Sequence, residues 1–338
     1  MTTAIDGTTG VIFPDASVQN TAATGFGFEN RLINGSMNID QRNGGAAQTI
    51  TAAAALAYTV DRWYAYSTGA NVTGQQIAGT YASSQSRYQF TGAASVTAIG
   101  FGQRIEQNNS FDLANTTATL SCYISNSLLT TVTWTASYAN TANTFGSLAS
   151  PTVTQIATGT FTVSSTRTRY TTNISIPSAA TTGIQIVFTV GAQTSGTWII
   201  DSVQLEKGAT ATNFDVRPYG TELMLCQRYF AILLASNTDY NIGMTRDSAT
   251  LSQIILYAPV TMRATPTLGV PSGYGRIVAY DTSFGQIVAS VSAMVLSYIA
   301  DNRMVNIFMT NSSYGGTYVY GAYDTFGSTT AMTLSSEL

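Results

Sequence analysis

The chain has 338 residues and a net charge of −3, and only 9% of its residues are charged, against roughly 25% in an ordinary soluble domain. It has no histidine and a single lysine, Lys207, so its polar surface is built from Thr, Ser, Asn, Gln and Gly. These facts exclude a histidine-based catalytic triad and a basic nucleic-acid footprint, and no apolar run approaches the ~20 residues of a membrane-spanning helix.

In chain order, residues 1–27 form a leader with Val11, Ile12, Phe13 and Val18, then small residues to Gly27. It is too short to bury a core alone, which predicts pairing with other chains or docking on a larger assembly. Residues 28–218 hold about ten short runs in which Thr, Val, Ile, Tyr and Phe alternate with polar residues, the pattern of half-buried strands. In Thr131–Tyr138, Val132, Trp134, Ala136 and Tyr138 share one face; in Gly183–Val190, Ile184, Ile186, Phe188 and Val190 do the same. Period-two faces over many short segments predict an all-β jelly-roll β-sandwich. Trp63, Trp134 and Trp198 lie on such strands and read as core rather than as sugar platforms.

Good helix formers at Thr221–Arg228 predict one short joining helix. Residues 219–338 then form a second β-rich domain. It places Tyr274, Tyr280, Tyr298, Tyr314, Tyr318, Tyr320 and Tyr323 among glycines and serines, the composition of adaptable recognition loops. A subunit interface or a core would use the same residues. Tyr314 and Tyr323, read as turn positions, are the first candidates for ligand contact; Tyr318 and Tyr320, read as strand residues, are the second.

Chemistry is sparse. There is no phosphate-binding glycine loop and no Cys/His cluster with zinc spacing. Cys122 and Cys226 read as free buried thiols, with a bridge as the alternative. Glycan hydrolysis requires two carboxylates, but the 17 acidic residues fall mostly in turns, where they bond local N–H groups. The expectation is a protein that is not an enzyme.

Four stretches resemble bacteriophage tail-fibre and virion-surface proteins that contain a carbohydrate-binding-module-like sandwich. Asn30-Arg-Leu-Ile-Asn-Gly-Ser-Met37, followed by Tyr58-Thr-Val-Asp-Arg-Trp63, resembles the opening of such a sandwich. Asp201-Ser-Val-Gln-Leu-Glu206, running through Arg217-Pro-Tyr-Gly220 into Glu222-Leu-Met-Leu-Cys-Gln-Arg-Tyr-Phe230, resembles its closing strand and exit. Ala258-Pro-Val-Thr-Met-Arg263 resembles the strand that follows, and Gly10-Val-Ile-Phe-Pro-Asp-Ala-Ser-Val-Gln19 an N-terminal fibre segment.

The resemblance implies a virion structural protein, most simply a homotrimeric tail-fibre subunit. Its leader (1–27) would attach to other tail or capsid proteins and its distal domain (219–338) would bind host surface glycans. A head fibre or capsid-decorating protein, and a small glycan depolymerase, are the alternatives. The start at Met1 lacks a signal peptide's charged and apolar regions, as expected of assembly in the host cytosol. The resemblance also implies a structural calcium at Asp201. The opening position that usually supplies a second acid is Asn38 here, and calcium prefers several charged oxygens. The alternative has Asp201 bonding backbone near the sandwich edge and Asp61 pairing with Arg62 or Arg42.

Overall fold

The computed structural model describes, with their side chains, residues 28–52, 55–81, 84–234, 252–270, 292–295, 302–310 and 331–338, and the backbone of further strand segments before and between them. The fold is all-β. In the leader, β1 (Ala4–Asp6), β2 (Gly10–Ile12) and β3 (Val18–Gln19) form an antiparallel sheet in that order.

The next twelve strands are β4 (Gln48–Ile50), β5 (Ala57–Tyr58), β6 (Tyr64–Thr68), β7 (Val72–Tyr81), β8 (Ser84–Thr91), β9 (Ala98–Ile105), β10 (Thr116–Asn126), β11 (Thr131–Ala139), β12 (Val153–Thr162), β13 (Thr168–Ile176), β14 (Ile184–Val190) and β15 (Thr197–Lys207). They form a jelly-roll sandwich of two six-stranded sheets, ordered β13-β10-β15-β8-β7-β4 and β12-β11-β14-β9-β6-β5. A helical turn, α1 (Gln107–Ser110), follows β9. The strand pattern dictates the core, since alternate residues of each strand turn inward. Trp63 stacks on Phe101 at 4.8 Å, Phe101 on Tyr88 at 5.2 Å and Phe90 on Trp198 at 5.0 Å. All three tryptophans are buried, as expected; Trp134 and Trp198 lie on β11 and β15, whereas Trp63 stands just before β6 and not on a strand. Cys122 and Cys226 are buried free thiols.

The joining helix α2 spans Tyr219–Gln227. Beyond it, β16 (Phe230–Leu234), β20 (Thr267–Gly269) and β25 (Met332–Ser335) pair in the order β16-β25-β20. A seven-stranded sheet runs β17-β24-β21-β22-β23-β19-β18, with β17 at Ile242–Gly243, β18 at Thr245–Arg246, β19 at Leu251–Tyr257, β21 at Arg276–Asp281, β22 at Gln286–Ala300, β23 at Met304–Asn311 and β24 at Tyr318–Asp324. Ile254, Met294, Val305, Ile307, Met309, Met332 and Leu334 belong to a separate apolar cluster there.

The residues that carry the family resemblance weld these parts together. The Asn30 side chain bonds the carbonyl of Val203 at 2.9 Å and the amides of Leu32 and Leu205 at 3.0 Å. Gly35 packs so tightly on β15 that a Cβ would lie 2.1 Å from the Val203 carbonyl oxygen. Gln204 and Glu206 clamp the following turn through Thr212 and the Asp215 amide. Glu222 on α2 accepts from the Asn34 amide and from Arg217. Arg228 pairs with Glu106 at 3.0 Å. Arg62 lies 3.5 Å over the Tyr229 ring, and Arg42 lies 3.7 Å over the Phe230 ring; both pair with Glu337.

Candidate functional site

Of the four tyrosines the sequence singles out, three lie on one strand. Tyr314 lies outside the described residues. Tyr318, Tyr320 and Tyr323 all lie on β24. There Tyr320 is opposite Tyr280, and Tyr323 is opposite Ile277 and Ile242. Tyr323 is therefore a strand residue and not the turn residue its glycine-rich context predicts, because pairing with β21 and β17 continues past Gly321.

Asp201 is 1% exposed and lies on β15, opposite Tyr123 of β10. Its two carboxylate oxygens are both taken by Arg167, Oδ2 from Nε at 3.0 Å and Oδ1 from Nη2. Asp201 thus bonds an arginine, not the backbone anticipated as the alternative to calcium. The donor set does not fit a calcium ion: the guanidinium already supplies the cation, and no cluster of three or more Asp, Glu, Cys or His exists among the described residues. Asp61 is fully buried and does pair with Arg42, at 3.4 Å, and with Gln41. Burial outweighs those partners and pushes its carboxyl up to about 7.

Around Asp201 the outer face of the first sheet carries a stack that the sequence did not announce. The guanidinium of Arg167 lies between two rings, 3.7 Å from the centroid of Tyr123 and 3.9 Å from that of Tyr81. Arg87 lies on the same assembly, 5.7 Å from the Tyr81 centroid. Tyr81, at the end of β7, is 39% exposed, and Tyr123 is half-buried. Strand alternation puts Gln75 (β7), Gln89 (β8) and Ile199 (β15) on one cross-strand row beside them, with Gln89 opposite both Gln75 and Ile199. The result is a largely polar sheet face with an aromatic centre. The buried Asp201 fixes Arg167, and Arg167 fixes both rings, so rotamer freedom is already lost before any ligand arrives. In sequence the four residues stand at 81, 123, 167 and 201 on separate strands and loops. Only the register of β10 against β15, shifted between Ser121 and Tyr123, brings them together.

Two grooves lie at the joint. One of 370 Å³ is lined by Gln41, Arg42, Phe230, Ile232, Val270 and Thr333. The other, of 180 Å³, has Ser36, Asn38, Gln85, Arg217, Tyr219 and Glu222 on its walls. Neither presents a preorganised aromatic pair. The buried carboxylates among the described residues are held by arginines or by the Gln204–Thr212 clamp.

No known protein family matches the chain, and no curated protein matches it. Several solved structures are similar in backbone course. One is the enzymatically active domain of tailspike protein 4 of bacteriophage CBA120, at 16% identity and TM-score 0.34 over 53% of this chain and 22% of that one. A family 4 carbohydrate-binding module is similar at 17% identity and TM-score 0.33, over 52% and 98%. A family 11 carbohydrate-binding module from Clostridium thermocellum, in complex with a mixed-linked tetrasaccharide, is similar at 12% identity and TM-score 0.31, over 49% and 98%. This chain thus spans about a fifth of the tailspike chain. At such identities and TM-scores these likenesses add nothing to the functional argument.

Proposed function

We propose that this chain is a non-catalytic glycan-binding subunit of a bacteriophage surface fibre, on the virion tail, assembled as a homotrimer. The observation that carries the glycan reading is the Tyr81–Arg167–Tyr123 stack on the open face of a jelly-roll sheet. Exposed aromatic carbons can pack on the C–H face of a pyranose, and the flanking Gln75 and Gln89 amides can exchange hydrogen bonds with its hydroxyls. The virion reading rests on the sequence resemblance, and the residues of that resemblance serve as the weld that keeps sandwich, helix and C-terminal sheets in fixed relation. A fibre that transmits adhesion from a tip to a particle needs such rigidity. Trimerisation is supported by one face of the seven-stranded sheet, where Ile255, Tyr257 and Val295 are exposed and a second and third copy would cover them. Each contact would be weak, and three copies per fibre would raise the effective concentration.

The test is binding of the labelled full chain to isolated host surface polysaccharide, before and after periodate oxidation of the sugar. Binding lost on oxidation, with no reducing ends released over hours, is the expected result. Binding indifferent to oxidation would remove the glycan reading. Steady release of reducing ends would replace it with the depolymerase.

A further inference from the structure

The same face carries more positive charge than a neutral sugar needs. The whole chain has 14 basic residues. Three of them, Arg87, Arg167 and Arg169, gather here: Arg87 opposite Ile77 on β8, Arg169 opposite Tyr123 on β13, and Arg167 on the loop before β13. Among the described residues, only Arg167 of these three has a carboxylate at ion-pair distance, Asp201. Arg169 donates to the carbonyl of Thr212 and, at 3.4 Å, to the hydroxyl of Ser121. Arg87 donates from Nη2 to the carbonyl of Ala78 at 3.3 Å, and its buried Nε has no partner among the described residues. Glu206, further along β15, is engaged by Gln204 and Thr212.

A guanidinium with no carboxylate partner among the described residues, beside an exposed ring, is an incomplete pair. It wants an acceptor with the geometry of a carboxylate, which binds the guanidinium fork through two parallel charge-assisted bonds. We propose that this face selects acidic glycans: a uronic-acid sugar whose carboxylate pairs with Arg87 while its ring packs on Tyr81. The inference rests on the glycan reading above and narrows it to a chemical class. Asp201 contributes by neutralising Arg167, so that Arg167 acts as a spacer between the rings and Arg87 remains the group that answers the ligand's charge.

The experiment uses the full chain and matched pairs of polysaccharides, each acidic polymer set against its carboxyl-reduced counterpart. Wild type should bind at least one acidic member about ten-fold or more tighter than its reduced partner, and ~0.5 M salt should erase that margin. Arg87→Gln should bring both members to equal affinity; Arg87→Lys should keep part of the margin, since it retains charge without the fork. Arg87 is half-buried within β8, and an unchanged melting temperature checks that each variant is folded. Equal binding of both members in every pair, or a preference that survives Arg87→Gln, overturns this inference and leaves the glycan reading standing. Failure of wild type to bind either member of any pair overturns both.

Discussion

Arginine carries two separate duties in this chain, and the difference is visible residue by residue. Arg42, Arg62, Arg217 and Arg228 are structural: the first three lie against an aromatic ring or reach into backbone carbonyls at the joint, and all four have a carboxylate. Removing one partner from such a buried pair strands the other charge. Asp61 is the titratable weak point of that joint. Its carboxyl sits at about 7 in the folded chain and near ~3.9 when unfolded. The folded state therefore holds more protons between those values, and stability must fall as pH rises from about 4 to about 7, with no further change from this group above that. Asp61→Asn should flatten the slope. Urea melts at pH 5 and pH 8 check it: wild type is expected to lose on the order of 2 kcal/mol between them through this group, and the variant much less. A wild-type stability that rises across the interval would contradict the assignment. Asp201 makes the opposite case. With Arg167 already supplying its cation, chelator should shift the melting temperature by less than ~2 °C, whereas a tightly bound structural calcium would produce a clear drop on its removal.

At the scale of elements, the sequence was legible wherever a strand had one dry face. Thr131–Tyr138 and Gly183–Val190 became β11 and β14 with the expected residues inward. The helix came out at Tyr219–Gln227, two residues earlier than its run of helix formers, because Pro218 serves as its N-cap. The edge strands Gln48–Ile50 and Ala57–Tyr58 were not legible: two or three residues are too few to display a period. The Tyr81–Arg167–Tyr123 face was hidden for another reason. Its members gain meaning from cross-strand register, which alternation alone does not encode. The motif residues, by contrast, were easy to see and turned out to be architecture. Ile33 and Ile39 pack with Cys226 and Tyr229 across the boundary at residue 218, and Glu106 meets Arg228 there. A fragment of residues 1–218 should thus be much less stable than the full chain, with a melting temperature lower by ~10 °C or more, since it uncovers an apolar seam and leaves Glu106 without its partner. Equal melting of fragment and full chain would show that the seam contributes little.

For the molecule as a whole, low charge and an exposed apolar sheet face call for company. Analytical ultracentrifugation at micromolar concentration should give a trimer, and a monomer would contradict the fibre reading. Among the described residues, no helix is long and apolar enough to cross a membrane. Adhesion can be attributed to the sandwich face or to the C-terminal tyrosines, and one measurement separates them. The labelled full chain is bound to host cells as wild type, as Tyr81→Ala/Tyr123→Ala, and as Tyr318→Ala/Tyr320→Ala/Tyr323→Ala, each shown to be folded and assembled. The account predicts that the sandwich variant loses at least about ten-fold in cell binding, since each lost sugar–ring contact is multiplied across the copies of the fibre, while the C-terminal variant binds as wild type does. Loss in the C-terminal variant with the sandwich variant unchanged would contradict it.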